Sequence, residues 1–161
     1  MTISTGDRLP EATLRTITAE GPQPVTTSQL FSGKKAVLFA VPGAFTPTCH
    51  RSHMPGFVEM ADAIKAKGVD MIACVSTNDV FVLDAWAEQT GAKGKIQLLS
   101  DGNADFTRAL GLELDGTGMG LGIRSKRYAM IVEDGVVKEL LVEPQPGQAE
   151  VSSAQAVLER L

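Results

Sequence analysis

The sequence predicts an α/β fold in which helices flank a central mixed sheet. Between residues 36 and 110, apolar runs typical of buried strands alternate with segments of helical periodicity, a pattern that predicts parallel strands joined by right-handed crossovers. Beyond them, an Asp134-Gly135 pair separates two further apolar runs, which indicates an antiparallel β-hairpin. The length of 161 residues suits a single domain, which we expect to span residues 1–161.

Each predicted strand is an apolar run bounded by turn or polar residues. Residues 36–41 form a continuous apolar run that stops at Pro42, as expected of a strand buried on both faces. Residues 69–76 form a second such run, and residues 95–100 a shorter one. The predicted order is strand 36–41, helix 49–67, strand 69–76, a helix ending at 89, strand 95–100, helix 105–110, strands 127–132 and 136–142, and helix 154–161.

Capping residues predict where the helices begin and end. Thr46 is the predicted N-cap of the first of these helices, with Pro47 as its first residue and Gly68 as its stop. Pro55 falls inside the helical pattern and predicts a kink near residues 51–52. The later helices are predicted to begin after Asn78 or Asp79 and after Ser152 or Ser153, and to stop at Gly91 and Gly111.

The composition excludes several classes of partner. The net charge is −4 and no long basic run occurs, so we expect no nucleic-acid surface. No apolar run approaches the roughly 18 residues of a membrane span, and the first ten residues lack a signal-peptide pattern. We therefore expect a cytoplasmic protein with no membrane partner.

Two cysteines, Cys49 and Cys74, are the candidate redox groups. Cys49 lies where the predicted helix begins, and the unpaired N–H groups of a first helical turn favour thiolate over thiol. The alternative is a buried structural cysteine. His50 and His53 are close by, but no ligand-spacing motif completes a zinc site, so we expect neither a metal nor a cofactor.

Pro42, Thr46 and Cys49 match the PxxxTxxC active-site motif of the peroxiredoxins. The run 41–49, with His53 and residues 55–57 behind it, resembles the peroxiredoxin-5 (type II) subfamily, and the resemblance continues through residues 127–128, 132–135 and 143–144. It implies a thioredoxin-like fold, a homodimer and a thiol peroxidase that reduces hydrogen peroxide and alkyl hydroperoxides through Cys49.

The resemblance also assigns roles around the thiolate. Thr46 and the amides of the helix start would hold the peroxide, Pro42 would shield the sulfur, and Arg127 would supply the cation. Each assignment has a simpler alternative: Thr46 as an N-cap only, Pro42 as a strand terminator, and Arg127 as part of a solvated basic edge with Arg124 and Lys126. Arg51 is the nearest arginine in sequence.

The remaining candidates have secondary roles. His53, four residues after Cys49, is predicted to share its helix face and to support the site by packing or capping, whereas His50 is predicted to lie at the surface and Trp86 in the core. The glycine-rich run 116–122 lacks the context of a phosphate-binding loop and is interpreted as a mobile loop that carries Arg127 towards the site.

Cys74 determines how the oxidised thiol is recycled. Residues 144–161 contain no resolving cysteine, and Cys74 lies in an apolar strand run where burial is expected. We therefore expect glutathione or glutaredoxin to resolve Cys49. The alternatives are a two-cysteine cycle with Cys74 resolving and thioredoxin as reductant, and a non-catalytic thioredoxin-like module that relays oxidation to a partner.

Overall fold

The computed structural model describes residues 2–161, which form two sheets and five α-helices. The strands are β1 (Thr13–Thr18), β2 (Gly21–Thr26), β3 (Lys35–Ala40), β4 (Met71–Ser76), β5 (Gln97–Ser100), β6 (Glu113–Asp115), β7 (Ile123–Ser125), β8 (Tyr128–Glu133) and β9 (Val136–Val142). The helices are α1 (Thr27–Phe31), α2 (Met54–Lys65), α3 (Val80–Thr90), α4 (Asp105–Leu110) and α5 (Ala154–Leu158).

The main sheet has seven strands in the order β2-β1-β5-β4-β3-β8-β9. The central strands β3, β4 and β5 are parallel, and antiparallel pairs β1–β2 and β8–β9 flank them. In the turn between β8 and β9, Asp134 and Gly135 both have positive φ, +50° and +77°, as this class of two-residue hairpin turn requires. The predicted mixed sheet and hairpin are confirmed.

The two faces of the sheet bury separate apolar cores. Successive residues of β3 alternate between them, because strand side chains point to opposite faces: Phe39 joins the core under α2, α3 and α5, and Leu38 the core under α1 and α4. Cys49 and Cys74 both belong to the first core. The segment that follows β3 therefore places Cys49 on the same face of the sheet as Cys74.

The prediction omitted the N-terminal strands β1 and β2 and the short strands β6 and β7. Strand β2 lacks the sequence pattern of a strand because it carries Pro22 and Pro24. These prolines are tolerated because β2 is the edge strand of the sheet. Residues 116–122, predicted to form a mobile loop, turn through a short 3₁₀ helix, Thr117–Met119, between the paired strands β6 and β7. Glycines there serve the turn, with Gly120 and Gly122 at positive φ.

Asp79, one of the two predicted caps, begins α3, since its Oδ1 accepts a hydrogen bond from the N–H of Val82 at 2.8 Å. Replacing Asp79 with alanine is expected to lower the free energy of unfolding by about 1 kcal/mol, because this N–H then loses its partner. Urea denaturation measures the change. Asp62→Ala, which removes the same charge from an exposed position inside α2, is the control and should cost less; an equal loss in both would contradict the capping role.

Candidate active site

The helix that carries Cys49 begins with an unusual turn. Helical backbone starts at Pro47, winds as a π-helix over Cys49–His53 and continues as α2. Pro55 has no N–H to donate to the carbonyl four residues earlier, and here the N–H of Met54 reaches five residues back to the carbonyl of Cys49. A kink was predicted near residues 51–52, and there the backbone forms this wide π-helical turn.

Thr46 lies immediately before that helix, but its side chain does not cap it. Its carbonyl accepts from the N–H of His50 at 2.9 Å, whereas its hydroxyl donates to the carbonyl of Gly43 at 2.6 Å. Thr46 therefore occupies the predicted N-cap position, with Pro47 as the first helical residue, but its hydroxyl does not make the capping hydrogen bond. With its proton committed to Gly43, the hydroxyl oxygen has lone pairs left with which to accept a hydrogen bond.

The geometry brings Arg127 directly against Cys49. Arg127 Nη2 donates to Cys49 Sγ at 2.9 Å, Nη1 to His53 Nδ1 at 2.9 Å, and Nε to the carbonyl of Pro146 at 3.1 Å. The start of β8 thus places the arginine beside the π-helical turn, although 78 positions separate the two residues in sequence. Arg51, the nearer arginine in sequence, is exposed.

The environment of Arg127 is short of negative charge. The residue is only 2% exposed, and among residues 2–161 no carboxylate lies within ion-pair distance of it. A buried guanidinium without an anion is costly, and of its three acceptors only the Cys49 sulfur can become negatively charged. The Cys49 sulfur is therefore the one group in contact with Arg127 that could balance its charge.

His53 is buried between the arginine and the C-terminal segment. Its Nδ1 faces a guanidinium, which can only donate, and its Nε2 lies 2.8 Å from the carbonyl of Ser152, which can only accept. The ring must therefore carry its proton on Nε2. Burial, together with the charge of Arg127, lowers the pKa of His53 to about 3 against the opposing effect of the Ser152 carbonyl, so the ring is neutral at physiological pH.

The segment between β3 and the helix is held by Asn78 and Arg124, in roles that the sequence did not predict. Pro42 is buried, and its carbonyl accepts from Arg124 Nη1 at 3.3 Å. Asn78 Oδ1 accepts from the N–H of Ala44 at 2.8 Å. A Cβ on Gly43 would lie 2.9 Å from Arg124 Nη1, so a larger residue there would displace the end of the Arg124 side chain. Arg124, which entered the sequence analysis only in the alternative of a solvated basic edge, is a structural part of this site.

His50 is not the surface residue that was predicted. It is half-buried, its Nδ1 accepts from Trp86 Nε1 at 3.0 Å, and its ring stacks on Phe45 with centroids 5.6 Å apart. Trp86 is fully buried, as predicted. Phe45 has φ +65°, a left-handed conformation rare for a bulky residue, and such outliers cluster at functional sites.

Cys74 lies in β4, opposite Phe39 of β3, and is fully buried. Both cysteines are free thiols. Burial raises the pKa of Cys74 well above its ordinary value, and the neighbouring charge of Cys49 raises it further. A thiol that stays protonated is a poor nucleophile, so Cys74 is unsuited to attack in the folded conformation.

Residues 2–161 contain no group of three or more histidine, cysteine, aspartate or glutamate side chains arranged to hold a metal ion. Within the same residues, no helix has the length and apolar character needed to cross a membrane.

This chain is similar to known proteins in both sequence and fold. The Redoxin family model matches residues 4–158. Peroxiredoxin-2E-2, chloroplastic, of Oryza sativa subsp. japonica is 54% identical over 99% of this chain and 73% of its own length. Reduced Prx3 of Vibrio vulnificus in complex with H₂O₂ superposes with a TM-score of 0.94, at 53% identity over 99% of both chains. The thioredoxin-like fold implied by the resemblance is confirmed.

The same comparison corrects the expected location. The rice relative, and Peroxiredoxin-2E of Arabidopsis thaliana at 50% identity over 99% of this chain, are both named as chloroplastic, so the cytoplasmic prediction is wrong. The matched region makes up 73% and 69% of these relatives, so the features that set their compartment need not lie in the residues they share with this chain.

The match to the Redoxin model spans nearly the whole chain, and the named relatives are peroxiredoxins at high identity. This chain belongs to the Redoxin family and is a peroxiredoxin, a thiol peroxidase.

Proposed function

We propose that Cys49 is the peroxidatic residue of this enzyme and that Arg127, Thr46 and Pro42 complete the catalytic site. The observation that carries the proposal is the contact of 2.9 Å between Arg127 Nη2 and Cys49 Sγ in a buried site where no carboxylate of residues 2–161 neutralises the arginine. A thiolate is the anion that such a site stabilises, and it is also the reactive form of cysteine.

The proposed reaction transfers one oxygen from the peroxide to sulfur. The Cys49 thiolate attacks the terminal oxygen of the hydroperoxide, a sulfur–oxygen bond forms and the oxygen–oxygen bond breaks. Sulfur is oxidised to sulfenic acid, and the departing oxygen takes a proton to leave as water or an alcohol. Hydrogen peroxide and alkyl hydroperoxides, the substrates implied by the resemblance, share this O–O–H group.

Each supporting residue has a separate task in this step. Arg127 stabilises the thiolate and the negative charge that develops on the leaving oxygen. Thr46, whose proton is held by Gly43, accepts a hydrogen bond from the peroxide O–H and so orients it. Pro42 has no N–H and presents only an apolar ring, which keeps water from competing for the sulfur.

We propose that an external thiol, glutathione or glutaredoxin, completes the cycle. It attacks the sulfenic sulfur to give a mixed disulfide and water, and a second thiol then releases the Cys49 thiolate and leaves as the oxidised disulfide. The burial of Cys74 and its raised pKa support this route over a two-cysteine cycle.

We further propose a homodimer, for which the exposed side chains of Phe45, Phe81 and Met119 offer apolar surface.

Replacing Cys74 with serine tests the recycling route. With glutathione and glutaredoxin, the variant is expected to retain the turnover of the wild type, because Cys74 takes no part in the cycle. Peroxide consumption over many turnovers is the measurement, and a parallel assay with thioredoxin identifies the preferred reductant. A variant that reacts once and stops would establish Cys74 as the resolving cysteine. Wild type that is oxidised once and stays oxidised with every reductant would indicate a peroxide sensor instead.

A further inference from the structure

Glu143, which follows β9, makes an unusual set of contacts for a glutamate. The residue is 5% exposed, and a single oxygen, Oε2, accepts hydrogen bonds from the N–H of Glu150 at 2.8 Å, from the N–H of Ser152 at 2.7 Å and from the hydroxyl of Ser152 at 2.6 Å. Hydrogen bonds to an ionised carboxylate are stronger than hydrogen bonds between neutral groups. They fix the loop that leads into α5.

The loop residue held in this way is the one that faces His53. The carbonyl of Ser152 lies 2.8 Å from His53 Nε2, and the Ser152 hydroxyl oxygen lies 3.4 Å from the same nitrogen. The Ser152 hydroxyl proton is committed to Glu143, so both Ser152 oxygens present lone pairs to His53. Only the tautomer with the proton on Nε2 satisfies this arrangement.

The hydrogen bonds form a closed circuit that starts at the backbone of Arg127 and returns to its side chain. The N–H of Glu143 donates to the carbonyl of Arg127 at 2.9 Å, and the Arg127 guanidinium donates to the unprotonated Nδ1 of His53 at 2.9 Å. Glu143 thus ties the backbone of Arg127, through Ser152 and His53, to the side chain of Arg127. If His53 carried its proton on Nδ1, that N–H would face the guanidinium, and the arginine would have to move.

We propose that Glu143 is a positioning residue for the peroxidase reaction: by holding Ser152 it fixes the His53 tautomer that keeps the Arg127 guanidinium on the Cys49 sulfur. This inference rests on the proposed roles of Cys49 and Arg127. Glu143 touches neither the thiol nor the peroxide and acts only through His53. The low pKa of His53 agrees with this, because a neutral ring has a lone pair to offer the arginine.

The test combines peroxide kinetics with the nitrogen chemical shifts of the His53 ring. Glu143→Gln keeps the shape of the side chain but replaces the carboxylate with a weaker acceptor and an added N–H₂ group. We expect the second-order rate constant with hydrogen peroxide to fall about 10- to 100-fold, the range expected when a catalytic group shifts by a fraction of an ångström to one ångström. We also expect the ¹⁵N shifts of His53 to show mixed tautomers, which a merely structural role would not produce.

Two further variants make the result specific. Glu139→Gln removes the same charge from a half-exposed position on β9 and is expected to leave both the rate and the His53 shifts unchanged. In a His53→Ala background, Glu143→Gln is expected to cause no additional loss of rate, because the residue through which it acts is gone. Should Glu143→Gln fail to fold, Ser152→Ala, which removes one of the three hydrogen bonds, is expected to show the same changes to a smaller degree.

The proposal is overturned if folded Glu143→Gln keeps both the wild-type rate and the wild-type His53 shifts. It is also overturned if the loss of rate persists in full without His53. If the wild type consumes no peroxide, the proposed function fails instead, and the His53 shifts of the variants still decide whether Glu143 sets the tautomer.

Discussion

Replacing Cys49 with serine is expected to reduce peroxide consumption to the rate seen without enzyme. Serine has nearly the same shape, but its hydroxyl stays protonated at neutral pH even beside the guanidinium of Arg127, so the site loses its nucleophile. No other thiol can substitute, because Cys74 is buried with a raised pKa. The measurement is peroxide consumption with glutathione and glutaredoxin, together with mass spectrometry of a trapped sulfenic acid.

Cys74→Ser is the matched control for this experiment. Both residues are fully buried free thiols in the same core, so both variants exchange a buried sulfur for a hydroxyl. Only Cys49 is in contact with a cation, and only its loss is expected to abolish turnover and sulfenic acid formation. Turnover retained by folded Cys49→Ser would show that the reaction does not pass through this thiol.

Local sequence was sufficient to predict the central fold. The apolar run that became β3 is buried on both faces, and burial of this kind leaves a continuous signal. Helix α4 occupies the predicted residues because a left-handed glycine, Gly111 at φ +72°, ends it. The Asp134-Gly135 turn was predicted for the same reason, since its conformation is set by two adjacent residues.

The parts of the site that the sequence did not predict are those made by contacts between distant segments. The Arg124 contact with Pro42 joins residues 82 positions apart, and the Ser152 contact with His53 joins residues 99 apart. An arginine, a serine or a glutamate in a loop carries no periodic signal that would indicate its partner. Arg127 was predicted only because a family motif contains it. The π-helical turn was foreseen only as a kink, since Pro55 predicts a lost hydrogen bond but not how the backbone compensates.

Replacing Arg127 with glutamine is expected to lower the rate of Cys49 oxidation by about 100- to 1,000-fold, the usual cost of removing one preorganised donor from the transition state. Arg127→Lys is expected to lose less, because it keeps the charge. It still loses the fork of donors that reaches Cys49, His53 and Pro146 at the same time. Stopped-flow fluorescence of Trp86, the single tryptophan, can follow the oxidation of Cys49, because its indole N–H donates a hydrogen bond to His50, the residue next to Cys49.

Arg51→Gln is the control that separates this role from general positive charge. Arg51 is the arginine nearest to Cys49 in sequence, but it is exposed and should leave the rate unchanged. A reduced rate of Cys49 oxidation in Arg51→Gln, together with a wild-type rate in Arg127→Gln, would show that Arg51 supplies the cation.

The pH dependence of the rate separates the two tasks proposed for Arg127. If it only ionised the thiol, a higher pH would restore Arg127→Gln to the wild-type rate. Because the guanidinium also stabilises charge on the departing oxygen, we expect a large defect to persist after the thiol of the variant is fully ionised.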